Sequence, residues 1–266
     1  MNRLTTQRLL IGISFIICPL SYSFAQSDDF GLDFSLEAQK KIDKKWSASL
    51  EGEWRTRDNT KTSDRWSIGL GLDYKATKWL KASAGYTFLY DNNERISYYE
   101  ETDDAVLDGD ADAGNPKKCA KYWAARHRFN VSLTVDKKLF GDFKFSLRER
   151  WQYTWRPEYT VDERWSYLNE AYDGKPHTYD GKGKNVLRSR LQVEYDKKGL
   201  NLTPYANVEL FNAWSLQKVR YTAGVDWKLS KVHAVGAFYQ YQKVNDDDDD
   251  FEPDRHHLGI TYKFKF

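Results

Sequence analysis

The side chains best suited to chemistry in this 266-residue chain are arginines recurring in pairs: Arg126 and Arg128, Arg148 and Arg150, Arg188 and Arg190, followed by a lone Arg220. In an extended chain, residues two apart project from one face, so each pair would present two guanidiniums side by side. A guanidinium stays charged at any workable pH and cannot shuttle protons, but its planar fork matches a carboxylate through two hydrogen bonds. The pattern points to holding anions. Glu37, Glu51, Glu53 and Glu209 occur at positions whose alternation would turn them to the same side, as opposing charges.

Acid–base and nucleophilic chemistry have little to work with. The histidines are His127, His177, His233, His256 and His257. A Ser–His or Asp–His constellation is recognised by spatial geometry, and nothing local marks one. Arg255-His256-His257 beside Asp254 is the best candidate, with a loop-to-strand boundary as its plain reading. The chain is therefore read as a non-enzyme without cofactor. Two acidic runs, Asp108-Asp110-Asp112 and Asp246 to Asp250 with Glu252 and Asp254, have carboxylates that suit divalent cations. After Asp112, however, come Ala113 and Gly114, with Cys119 where a calcium loop needs Glu. Both runs read as solvated loops, and no metal site is assigned. Cys119, among Lys117, Lys118 and Lys121, reads as an exposed thiol.

The elements that would position these groups begin after an export address. Arg3 and Arg8 precede an apolar run, Leu9 to Pro19, too short to span a bilayer, and Ser23-Phe24-Ala25 offers a cleavage site. Residues 1–25 are expected to be a signal peptide and residues 26–266 one domain. Cys18 follows Ile16-Ile17 rather than a small residue, which argues against a lipoprotein anchor. Removing the leader takes two cations and no acids from a chain of formal charge +2, so nothing favours nucleic acid. Cys119 then stands alone, and no intrachain disulfide can form.

With 10 Trp, 18 Tyr and 14 Phe beside a mean hydropathy of -0.78, the chain is too polar and too aromatic for a single dry core. A barrel with aromatics toward lipid and polar groups toward an aqueous interior accommodates both. Alternation runs along nearly the whole chain. Trp46, Ala48, Leu50, Gly52 and Trp54 oppose Ser47, Ser49, Glu51, Glu53 and Arg55, while Trp66, Ile68, Leu70, Leu72 and Tyr74 oppose Ser67, Gly69, Gly71 and Asp73. Similar faces recur at Leu80 to Phe88, Phe129 to Val135 and Val219 to Leu229. Trp46 and Trp54 mark the ends of one apolar face; their separation spans roughly 20 Å of height on a tilted strand, close to the about 25 Å apolar band of outer-membrane barrels. Leu258, Ile260, Tyr262, Phe264 and Phe266 alternate to a terminal aromatic, resembling the closing-strand signal read by barrel-assembly machinery.

Short connections at Asp43-Lys44-Lys45, Lys75 to Lys78, Lys137 to Asp142, Asp196 to Asn201 and Ser230-Lys231 alternate with longer ones. The longer set is Thr56 to Asp64, Asp91 to Lys121, Pro157 to Lys184, Phe211 to Lys218 and Asn245 to Asp254, and is expected outside the cell. The fold class is thus all-β: an antiparallel transmembrane barrel with short periplasmic turns and long extracellular loops. About eleven strands can be counted, the first at Leu32 to Lys40. Because single-chain bacterial barrels have even numbers, twelve are expected, with ten plus a luminal N-terminal segment as the alternative. Glu149 falls on the apolar face between Leu147 and Trp151, which a bulge or a protein contact would resolve.

Several short motifs run through the mature chain: Glu51-Gly52-Glu53-Trp54-Arg55, Arg65-Trp66 with Gly69-Leu70, and Ala84-Gly85-Tyr86-Thr87-Phe88. Arg126-His127-Arg128, Arg148-Glu149-Arg150 and His257-Leu258-Gly259 through Phe266 add to them. In these the chain resembles a family of bacterial outer-membrane barrels, the domain of unknown function twenty-four-ninety. More loosely, and through no specific motif, the chain is similar to small monomeric porins for acidic sugars. The expectation for function is a passive channel for small hydrophilic, anionic solutes, with a lumen lined by Arg126, Arg128, Arg148, Arg150, Arg188, Arg190, Arg220, Glu51, Glu53 and Glu209. The alternative is a non-conducting structural or accessory barrel whose luminal charges pair off. Expected partners are outer-membrane lipid and lipopolysaccharide, and the assembly machinery through the last strand.

Overall fold

The computed structural model describes residues 28–245 and 253–266, so the expected leader and the Asp246 to Asp250 run lie outside the described residues. Eleven long strands form the wall. Six come first: β1 (Asp29–Lys41), β2 (Trp46–Arg57), β3 (Thr62–Lys75), β4 (Leu80–Tyr98), β5 (Pro116–Leu139) and β6 (Phe143–Arg156). Four short strands follow: β7 (Tyr159–Val161), β8 (Trp165–Ser166), β9 (Ala171–Tyr172) and β10 (His177–Tyr179). The wall resumes with β11 (Lys182–Tyr195), β12 (Leu202–Ala213), β13 (Ser215–Lys228), β14 (His233–Val244) and β15 (Arg255–Lys265). A single helical turn, α1 (Asp104–Leu107), lies between β4 and β5, and among the described residues no helix is long and apolar enough to cross a membrane.

Each wall strand pairs antiparallel with its neighbours in the chain except at the closure, where β1 and β15 run parallel. An up-and-down barrel with an odd number of strands must close this way, because its first and last strands point in the same direction. The eleven segments legible in the sequence are therefore the eleven wall strands; neither a hidden twelfth strand nor a luminal N-terminal segment is needed. Side-chain parity fixes the register at the closure. Leu32, Phe34 and Leu36 pair with Leu258, Ile260 and Tyr262, all outward. Gly31 faces His257, and a Cβ there would run into the Thr56 carbonyl oxygen and the imidazole.

The outward face is apolar, with Leu36, Ile68, Leu70, Leu133, Leu191 and Ile260 all exposed. Rings collect at its two edges. Near the end where β1 begins, Phe34 stacks on Trp54 at 5.5 Å and Trp54 on Trp66 at 5.7 Å, and Tyr90 stacks on Trp123 at 5.2 Å. At the opposite end, Trp46 meets Tyr74 at 4.7 Å, Phe143 meets Tyr195 at 5.2 Å, and Phe264 meets Phe266 at 5.1 Å. Glu149 keeps its outward position without a bulge, in register between Leu133 and Ser189, and accepts a hydrogen bond of 2.6 Å from the Ser189 hydroxyl.

Two of the expected long connections shorten because pairing continues beyond the apolar band. β2 and β3 are joined by residues 58–61, three of which have positive φ, and β12 turns into β13 at Trp214, with φ of 70°. The β4–β5 hairpin also runs on, to Tyr98 and from Pro116, over residues expected to be loop. Its extension carries a small core. Ala120, Tyr122 and Ala124 continue the inward parity of Arg126 and Arg128, and Val161 and Tyr179 pack on that face. Tyr122 is stacked between Tyr159 at 4.8 Å and Tyr179 at 5.4 Å, so residues 157–181 fold over the inner side of the hairpin. β8 pairs with β5 at Lys118 and Cys119, and the Lys118 ammonium binds the Asp173 carboxylate at 2.8 Å. Cys119 is consequently buried, not exposed, at 6% accessibility.

Candidate functional site: a charged lumen

The inward parity of the strands brings charge into the barrel interior in two contrasting walls. β1 and β2 supply Asp33, Glu37, Glu51 and Glu53, with Glu37 directly opposite Glu51. β5, β6, β11 and β13 supply arginines. Arg188 lies opposite Arg150, and Arg190 opposite Arg148, across the β6–β11 ladder. Like charges facing each other in register are destabilising unless something intervenes.

Glu209 intervenes. It stands on β12, in register with Arg190 on one side and Arg220 on the other, and is 3% exposed. Its carboxylate takes Arg148 at 2.6 Å and Arg188 at 2.7 Å, with Arg220 at 3.9 Å. Arg188 also donates to the Gln152 amide oxygen at 2.9 Å and Arg220 to that of Gln242 at 2.8 Å. Both guanidiniums also lie over the Phe211 ring, 4.4 and 4.9 Å from its centroid.

Two further clusters lie closer to the β1–β5 side. Asp91 binds Arg65 at 2.5 Å and Arg126 at 3.0 Å, and Arg126 donates to Asn93 at 2.6 Å. Arg55 binds Asp33 at 2.8 Å and Glu53 at 3.1 Å. Asp91 and Arg65 are not among the lumen-lining residues expected from sequence: Arg65 enters there only through the family likeness, and Asp91 only as the start of a loop. The signal was present: it continues the alternation of Ser83, Gly85, Thr87 and Leu89.

Of the charges singled out from sequence, Arg128, Arg150, Arg190 and Glu51 have no ion pair within 4.0 Å among the described residues. These groups stand at successive levels of an interior with two chambers. The first, about 430 Å³, is lined by Glu53, Arg126, Arg128, Arg188 and Arg220 among others. The second, about 350 Å³, is lined by Asp73, Lys144, Arg148, Arg190 and Glu194 among others. Glu51, Gly69, Thr87, Asn130 and Arg150 border both, forming a waist. Arg128 thus belongs to the first chamber, Arg150 to the waist and Arg190 to the second.

Among the described residues no histidine is hydrogen bonded to a serine or a cysteine. His127 is hydrogen bonded to Tyr86 at 2.8 Å and His233 to Tyr262 at 2.6 Å, while His256 meets Tyr239 at 2.5 Å and Asp28 at 3.1 Å. Asp254 beside it is engaged by Tyr241 and the Val244 amide instead. Among the described residues no three metal-ligating groups converge, Asp108, Asp110 and Asp112 included.

The chain was compared with known families and solved structures. The family described as protein of unknown function (DUF2490) matches residues 30–252. The β domain of the Bordetella autotransporter BrkA is 17% identical with a TM-score of 0.50, over 83% of each chain, and shares the barrel fold. The translocator domain of the autotransporter NalP from Neisseria meningitidis is 12% identical with a TM-score of 0.49, over 99% of this chain and 97% of that one. The NanC porin is 14% identical with a TM-score of 0.44, over 90% and 99%. No curated protein matches the chain.

Proposed function

The chain belongs to the DUF2490 family of proteins of unknown function, and for this member we propose a passive outer-membrane channel that passes small, hydrophilic, anionic solutes. The observation that carries the reading is the run of three guanidiniums without carboxylate partners, Arg128, Arg150 and Arg190, through two chambers meeting at one waist. Charged groups of one sign along a narrow passage favour ions of the other, and a guanidinium fork suits a carboxylate. Screening is weak at this scale, since the Debye length is about 8 Å at physiological salt. The acidic wall of Glu37, Glu51 and Glu53 opposes the arginines and sets a field across the passage. The reading invokes no catalytic step and no cofactor. It places the long connections outside the cell, lipid and lipopolysaccharide against the apolar band, and β15 as the strand met by the assembly machinery.

A second reading, a non-conducting accessory barrel, draws on the clusters at Glu209, Asp91 and Asp33, which cross-link the interior. Single-channel recording of the mature protein in a planar bilayer separates the two. The channel reading expects discrete conductance steps that require the folded barrel; a silent bilayer with correctly folded protein favours the accessory barrel.

A further inference from the structure

Each in-register arginine pair on the β6–β11 ladder is resolved in the same asymmetric way. From the pair Arg148–Arg190, Glu209 takes Arg148; from the pair Arg150–Arg188, it takes Arg188. One guanidinium of each pair is left over. The two left over, Arg150 and Arg190, both border the second chamber. Arg190 is level with Arg148, two residues from Arg150 on the neighbouring strand, which sets their backbones about 8 Å apart. The other cations of this chamber are engaged: Lys81 with Asp73 at 3.3 Å, and Lys144 with Glu194 and Asp136 at 3.6 and 3.7 Å. Glu51 borders the waist from β2.

From this arrangement we infer that the second chamber holds a binding site for a dianion, one carboxylate on Arg150 and the other on Arg190. A monoanion satisfies one guanidinium and leaves the second bare, whereas a linear dicarboxylate of the right length satisfies both and bridges them. Glu209 acts as the positioning residue, because by binding Arg148 and Arg188 it decides which arm of each pair is free. The site rests on the channel reading only for how the ligand arrives.

The test uses the full mature barrel and a series of linear dicarboxylates from succinate to suberate, with acetate as the monovalent probe. In planar bilayers the dicarboxylates should block chloride current with an optimum in chain length, at concentrations well below acetate. Arg150→Gln and Arg190→Gln should each weaken that block about tenfold, as expected for one lost charge-assisted fork. Glu149→Gln, on the outward face, should leave it unchanged. If chloride current persists while dicarboxylates and acetate act alike, the site is wrong and the channel stands. If the bilayer is silent, thermal melting in detergent decides. Length-dependent stabilisation by dicarboxylates that Arg190→Gln abolishes upholds the site without the channel; its absence removes both.

Discussion

At the scale of single residues, the interior divides into groups that hold the barrel and groups left free, and the two are separable by mutation. Glu209 serves three guanidiniums from β6, β11 and β13 while almost fully buried. Removing one partner of a buried, hydrogen-bonded charge cluster costs about 3 kcal/mol, because the others are left uncompensated. Glu209→Gln is therefore expected to lower the unfolding free energy measured in urea by that order, whereas Arg190→Gln, which breaks no ion pair, should leave it near wild type. Equal effects from the two would show that the lumen does not divide in this way. The arginine pairs were legible in sequence because strand parity is simple. Their partners were less so: parity names the residues on a face but not which of several carboxylates each guanidinium chooses, and Glu209 wins through its place between Arg190 and Arg220 in register.

At the scale of elements, the apolar alternation marked all eleven wall strands but not their ends, since pairing continues past the apolar band through polar residues that read as loop. Trp214 shows why: a single residue with positive φ turns β12 into β13, where composition suggested a connection from Phe211 to Lys218. The count of eleven conflicted with the even-number rule because that rule presumes antiparallel closure. Parallel closure predicts that Leu36→Cys and Tyr262→Cys, register partners on the outward face, form a disulfide in a Cys119→Ser background. Failure of this pair alongside cross-linking at another register would contradict it. Cys119 reads as exposed in sequence because nothing local shows that β8 pairs beside it. Asp173 fastens that cover: its carboxyl is held far below the usual range chiefly by the Lys118 hydrogen bond, and by the Arg164 and Lys175 amides. A depressed carboxyl stabilises above its unfolded value and loses that contribution as pH falls toward the folded one. The cover should thus stay closed to protease in mild acid and begin to loosen only below the ordinary value of 3.8. Asp173→Asn should unmask Cys119 to a membrane-impermeant maleimide at neutral pH; unchanged labelling would show that the clasp does not hold the cover.

At the scale of the whole molecule, an odd-stranded wall encloses an acidic side, an arginine side and two adjoining chambers between them. The likeness to the BrkA β domain reports the barrel fold, and the proposed transport has to be argued from the interior itself. If the leftover arginines govern passage, they do so through charge rather than through the packing that keeps the barrel closed. The most direct measurement is the reversal potential of the mature protein in a planar bilayer under a potassium chloride gradient. It should be compared with the Arg128→Gln, Arg150→Gln, Arg190→Gln triple variant refolded to the same heat-modifiable barrel. The account predicts anion selectivity in the wild type and a shift toward cations in the variant, with conductance retained. A wild-type pore that prefers cations, or one whose reversal potential is the same in both proteins, would contradict it.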